Sequence, residues 1–345
     1  MNYALPSGAA FPMVNPPPAL FPLVLPVPDS PLPVIRHHNP GVGIGFKVAS
    51  VCTLLVMASL LKASEGVPPG QLVFFRSFFA ILPIVIVLAR SGELIDGLKT
   101  GKPMGHVWRG SIGVCAMGLG FFALTKLPLP EAVALGYGMP LLIVVFGAVF
   151  LKENVRFHRW SAVVVGLIGV AIISWPRLTV FTTPSGEISQ LTVGVLAALI
   201  SCVFGAFAAM HIRHLVQTER SATIVLYFSI VCTVASLVTI PFGWVAPTPQ
   251  QWVTLVSAGI LGGIGQILLT ESYRHADVSV VAPFEYTSLL LSVVVGYFAF
   301  GDIPTWHTLI GSMIVIAAGL FIIWREYVLG LERRKQREVT PSTPI

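Results

Sequence analysis

Ten runs of about twenty apolar residues leave this chain few ways to fold, because each is long enough to cross about 30 Å of hydrocarbon as a helix. They lie at about 42–62, 71–89, 105–125, 129–151 and 158–175, and again at 191–212, 222–244, 250–270, 277–300 and 305–324. Within lipid the backbone N–H and C=O groups of each run must find partners inside the segment, which a helix provides. The expected class is an all-α polytopic membrane protein of ten transmembrane helices. Composition agrees: 55% of residues are hydrophobic and 10% charged, against about 25% charged in soluble domains.

The basic residues test the count, since cytoplasmic loops collect lysine and arginine. With ten spans and both termini inside, 17 of the 21 fall on the cytoplasmic side, Lys62, Lys126 and Arg177 fall outside, and Arg76 alone is left within a helix. The net charge of +6 is scattered over short loops and one tail, so topology accounts for it and nucleic acid is not an expected partner. Residues 1–40 hold eleven of the 27 prolines and no basic residue before Arg36. That is not a secretion signal, and a disordered cytoplasmic tail is expected there, matched by a basic tail over 328–345. Cys52, Cys115, Cys202 and Cys232 each sit in an apolar run without metal-ligand spacing and read as packing residues.

The segment 131–175 parallels 279–324. Each is a long apolar helix, an acidic turn at Glu153 or Asp302, a histidine five residues later at His158 or His307, and a closing tryptophan. Halves of five spans, at 41–176 and 190–327, enter the membrane from opposite sides because five is odd. Such inverted repeats place a binding site between the halves near the midplane.

Several polar residues stand out against that frame. Arg76, about 7 Å along the second span, reads either as a snorkelling or helix-pairing arginine or as a contact for an anionic substrate or an outer gate. Glu285 lies about 12 Å along the ninth span, next to Tyr286 and after Pro283, whose missing donor loosens the helix. A carboxylate there suits a coupling proton or a substrate amine; the bland reading is a structural hydrogen bond. Its repeat counterpart is Tyr137, with Pro140 nearby. Gln266 in the eighth span reads equally as cavity contact or interhelix bond. Glu131, just after Pro130, reads as a helix-start acid, and Glu271 with Arg274 as a helix-end ion pair. His211 and His214 share a face without a third metal ligand nearby. Gly259 and Gly263 form a GxxxG step for close helix approach.

The stretches "PPGQLVFFR", "LPLPEAVALGYGMPLLIVVFGAVFLKENV" and "DVSVVAPFEYTSLLLSVVVGYFAFGDIPTWHTLIGSMIVIAAGL" resemble the drug/metabolite transporter superfamily, specifically its EamA-type ten-helix permeases. The resemblance covers about 41–327, and "APFEY" and "FGDIP" look most like bacterial riboflavin or S-adenosylmethionine carriers. It implies an inner-membrane permease with a cavity lined by the third, fourth, eighth and ninth helices. The expected function is secondary-active transport of a small metabolite by alternating access, in contact with membrane lipids and driven by protons or substrate gradients. A lipid or lipid-linked sugar flippase is the alternative, and an intramembrane enzyme a remote one, since no catalytic constellation is present. Absence of a Walker motif excludes ATP drive by this chain alone. No cofactor or metal is expected, and monomer and homodimer both remain open.

Overall fold

A computed structural model describes residues 39–150, 152, 155–178, 189–215, 219, 221–276 and 278–339. The tail expected over 1–40, but for its last two residues, and the turn acid Glu153 lie outside them. The described residues form helices α1 (Pro40–Ala63), α2 (Pro69–Arg90), short α3 (Leu94–Leu98), α4 (Pro103–Lys126), α5 (Leu129–Gly136), α6 (Gly138–Phe150) and α7 (Phe157–Leu178). Then come α8 (Gln190–Leu215), α9 (Ser221–Leu237), α10 (Pro249–His275), one turn of α11 (Val278–Val281), α12 (Thr287–Phe300) and α13 (Trp306–Val339). Among the described residues nine helices, counting α5 with α6 and the segment Ala282–Tyr286 with α12, are long and apolar enough to cross a membrane, and Ala222–Leu237 is a shorter tenth.

Two spans end differently from expectation. The seventh stops at Leu237 rather than near 244, because Pro241 withdraws a backbone donor and Gly243 turns into the left-handed region at φ 96°. The tenth runs on to Val339, its polar end being built from Glu, Arg, Lys and Leu, all good helix formers.

Packing follows the sequence repeat. The first span (α1) lies on the eighth (α10), as the sixth (α8) lies on the third (α4). The second (α2) meets the eighth as the seventh (α9) meets the third, and α2 meets α9, α5 meets α12 and α7 meets α13. Adding five to each span number turns these contacts into one another. Helices come close through glycine: a Cβ on Gly259 would lie 2.5 Å from the Phe75 carbonyl oxygen, and one on Gly263 would lie 2.6 Å from that of Ala80. The GxxxG step therefore seats α2 against α10 and fixes the helix that carries Arg76. Trp108, Trp160, Trp175 and Trp306 face outward near helix ends, and Trp324 faces outward where the apolar part of α13 stops; amphipathic rings favour the bilayer interface.

One reading of the charges needs correction. Arg76 is not alone within a helix: Lys47 in α1 and Arg109 in α4 are buried there as well, at 1% and 8% exposure. Their counting as loop charges overstated the cytoplasmic tally by two, and the remaining asymmetry is still large.

Candidate functional site

The fourth and ninth spans are both interrupted, and at matching places in the repeat. In the fourth, α5 ends at Gly136, Tyr137 forms a turn, and α6 restarts at Gly138. Pro140 stands in the first turn of α6, where a missing donor is tolerated. In the ninth, α11 gives way to a tighter 3₁₀ segment over Ala282–Tyr286, containing Pro283, before α12 begins. Both prolines thus stand at helix breaks. A break at membrane depth frees backbone carbonyls, which must be satisfied by protein or a water-filled cavity.

The two breaks meet. The Tyr137 hydroxyl donates to the Glu285 backbone carbonyl at 2.6 Å and lies 2.5 Å from the Ser288 hydroxyl. A phenol has one proton, so Ser288 donates to Tyr137. The Tyr137 and Tyr286 rings stack at a tilt, with centroids 4.9 Å apart. On its far side Tyr286 points its hydroxyl at Gly319 of α13, where a Cβ would occupy the same space.

The Glu285 side chain turns away from this cluster toward α1, where Lys47 Nζ donates to its Oε2 at 3.2 Å. The pair is lopsided: the lysine side chain is 2% exposed and the glutamate side chain 55%. Lys47 also sits over the Tyr273 ring of α10, 5.6 Å from its centroid. The carboxylate at the break is thus paired on one side and open on the other. Sequence reasoning missed Lys47 as a partner because it lies near the start of its span, where a basic residue is ordinarily a topology marker. Its position six residues beyond Gly41, with apolar residues on both sides, was the available signal.

Arg76 and Gln266 belong to a neighbouring part of the interior. Arg76 is 8% exposed and does not snorkel along the outer surface; its side chain passes Gly262 of α10, beside which the Met57 thioether of α1 also lies. Gln266 is one turn further along α10 on that same face. The structure therefore joins Tyr137, Tyr286 and Glu285 directly and leaves Arg76 and Gln266 as a second group beside α2.

Towards one end of the bundle the interior is tied by ion pairs. Glu131, in the first turn of α5, makes no capping bond; it accepts from Arg177 Nη2 at 2.9 Å and Nε at 3.3 Å, and from the Thr308 hydroxyl of α13 at 3.4 Å. Lys62 donates to the Leu127 carbonyl at 2.5 Å and lies 3.5 Å from Asp302, whose carboxylate accepts from the Leu129 amide at 2.8 Å. Glu271 and Arg274 pair at 2.8 Å on an exposed turn. Among the described residues no group of three or more His, Cys, Asp or Glu side chains is placed to hold a metal, and all four cysteines are free thiols.

Comparison with known proteins assigns the architecture. The sequence pattern of the EamA-like transporter family matches twice, over residues 44–175 and 192–324. The chain is 30% identical to the pseudopaline exporter of Pseudomonas aeruginosa over 80% of its own length and 94% of that protein's. It is 30% identical to the S-adenosylmethionine uptake transporter of Rickettsia prowazekii over 74% of its length and 83% of the relative's. With the riboflavin transporter of Vibrio cholerae it shares 26% identity over 84% and 94% of the two chains. A solved crystal structure shares its fold at a TM-score of 0.59 and 19% identity, covering 84% of this chain and 99% of the other. The matched segments hold both broken spans and all ten apolar runs, so this multi-pass membrane protein belongs to the EamA-like transporter family.

Proposed function

We propose that the chain is a secondary-active transporter of a small metabolite, working by alternating access between its two halves, and that it is not an enzyme. The observation that carries this reading is the meeting of the two helix breaks, where the Tyr137 hydroxyl is bonded to the freed Glu285 carbonyl. A site assembled from one break of each half changes shape whenever the halves rock against each other. Glu285, Tyr137 and Tyr286 form its floor, Gln266 and Arg76 its far wall, and Pro140 and Pro283 keep the two segments loose. Relatives that carry riboflavin, S-adenosylmethionine and pseudopaline support a vitamin, nucleoside-like or amino-acid-like substrate. The Lys47–Glu285 pair supports protons as the coupling ion, because protonating the carboxylate removes the attraction that holds α1 to the ninth span.

The reading is tested by reconstituting the purified protein in liposomes and following labelled riboflavin and S-adenosylmethionine with and without a pH gradient. Saturable uptake of one of them, increased several-fold by the gradient, is expected. Lipid scrambling without uptake of either metabolite would transfer the chain to the flippase reading.

The placement we favour is the inner membrane with both termini cytoplasmic, supported by the loop charge asymmetry. A periplasm-dependent reporter fused after Val339 should stay silent while a cytoplasm-dependent one is active. The reverse pattern would invert the topology.

A further inference from the structure

Beyond the Tyr137–Glu285 cluster, two cations in the interior have no counter-charge among the described residues. Arg76 reaches inward from α2 and Arg109 from α4, each 8% exposed. None of the hydrogen bonds or ion pairs among the described residues involves Arg76. Arg109 lies 4.1 Å from the centroid of the Phe228 ring of α9, and its Nε and Nη1 are enclosed without a hydrogen-bond partner. The helices that carry them, α2 and α4, pack against each other and both against α9, and Ser77, next to Arg76, lies 3.9 Å from the Met117 thioether of α4. Glu219 lies 3.8 Å from a His106 ring nitrogen and is held by the Thr100 hydroxyl and the Gly101 amide, from which it accepts. Like charges converging in a low-dielectric interior repel, and each buried guanidinium left with unused donors adds a desolvation penalty. A negative group placed between them would offset both costs.

We propose that Arg76 and Arg109 form an anion-binding station between α2, α4 and α9 that takes an oxyanion, a carboxylate or a phosphate group. The planar fork of a guanidinium matches the two oxygens of such a group, and two forks from different helices would hold it between them. Anion binding stands on the two arginines alone. It rests on the transporter reading only for who brings the oxyanion: the transported metabolite, which would make the substrate class an anion or zwitterion, or a free ion that accompanies it.

The test is equilibrium binding of radiolabelled inorganic phosphate and of succinate to the full-length protein in phosphatidylcholine nanodiscs, at constant ionic strength. Saturable binding of at least one is expected. Arg76→Gln and Arg109→Gln should each weaken it at least about tenfold, as befits loss of a charge-assisted bidentate contact, while Arg90→Gln at the helix end leaves it unchanged. Should the glutamine variants not assemble, Arg76→Lys and Arg109→Lys keep the charge and lose the fork, and weaker binding by each is then the expected result. Displacement of bound phosphate by a transported metabolite identifies the metabolite's own oxyanion as the occupant; simultaneous binding identifies a separate ion. No saturable binding of either anion by monodisperse wild-type protein, or binding untouched by substitution of both arginines, overturns the proposal. Metabolite uptake by the same purified protein reconstituted in sealed liposomes separates that failure from a failure of the transporter reading.

Discussion

Glu285→Gln is expected to abolish uphill transport in liposomes while leaving exchange of substrate across the membrane measurable, because glutamine keeps the shape of the side chain but cannot ionise. Equal loss of both modes would make Glu285 a substrate ligand instead of a coupling group. Wild-type behaviour in both would remove it from the site. The structure adds a prediction about stability. Lys47 is enclosed while its partner is half-exposed, so the two halves of the pair are not equivalent. Removing the carboxylate strands a buried cation, for which about 3 kcal/mol is a reasonable scale. Removing the lysine releases a glutamate that water can already reach, and costs well under that. Glu285→Gln should therefore lower the unfolding temperature in detergent more than Lys47→Gln does. The double variant should be closer to Lys47→Gln than to Glu285→Gln, since the stranded charge is gone. The opposite ranking would mean that Lys47 is held by its neighbours, the Tyr273 ring among them, and owes little to Glu285.

How much of this could be read from the sequence depends on the range of the interaction concerned. Span number and type follow from local hydrophobicity, which bilayer thickness turns directly into helix length. The loosened segments are local features too, because Pro140 and Pro283 act on their own helices and the repeat sets Tyr137 opposite Glu285. What joins the breaks to the rest is not local. Lys47 and Glu285 are 238 positions apart, and a basic residue near the start of an apolar run looks like a loop charge until the neighbouring helix is in place. Arg109 was hidden in the same way. Depth misled as well: Arg76 lies near one end of α2 by counting, yet the close seat of α2 on Gly259 and Gly263 encloses it. Glu131 followed a local rule, acid at a helix start, and that rule gave its position correctly and its partner not at all.

That partner supports the second large effect. Glu131 is the enclosed member of its pair, with a side chain 2% exposed against 24% for Arg177, which reverses the order found for Lys47 and Glu285. Arg177→Gln should consequently be the damaging change: it leaves a buried carboxylate with the Thr308 hydroxyl as its remaining hydrogen-bond donor among the described residues. The loss is on the order of 3 kcal/mol, enough to cut abundance in the membrane several-fold. Glu131→Gln leaves an arginine that can turn toward water, and should cost clearly less. Combining the two ought to recover much of what Arg177→Gln loses, since a buried amide needs only hydrogen bonds whereas a buried carboxylate needs a charge. This pair ties α5 to α7, and Thr308 adds α13, all on one side of the helix break; under the proposed alternating-access reading it is expected to hold still while the break moves. Transport per folded molecule in the double variant is therefore expected to stay within about twofold of wild type, the modest change typical when an exchange spares the binding groups. A double variant that is abundant yet inactive would show instead that the Glu131–Arg177 pair opens and closes during the transport cycle.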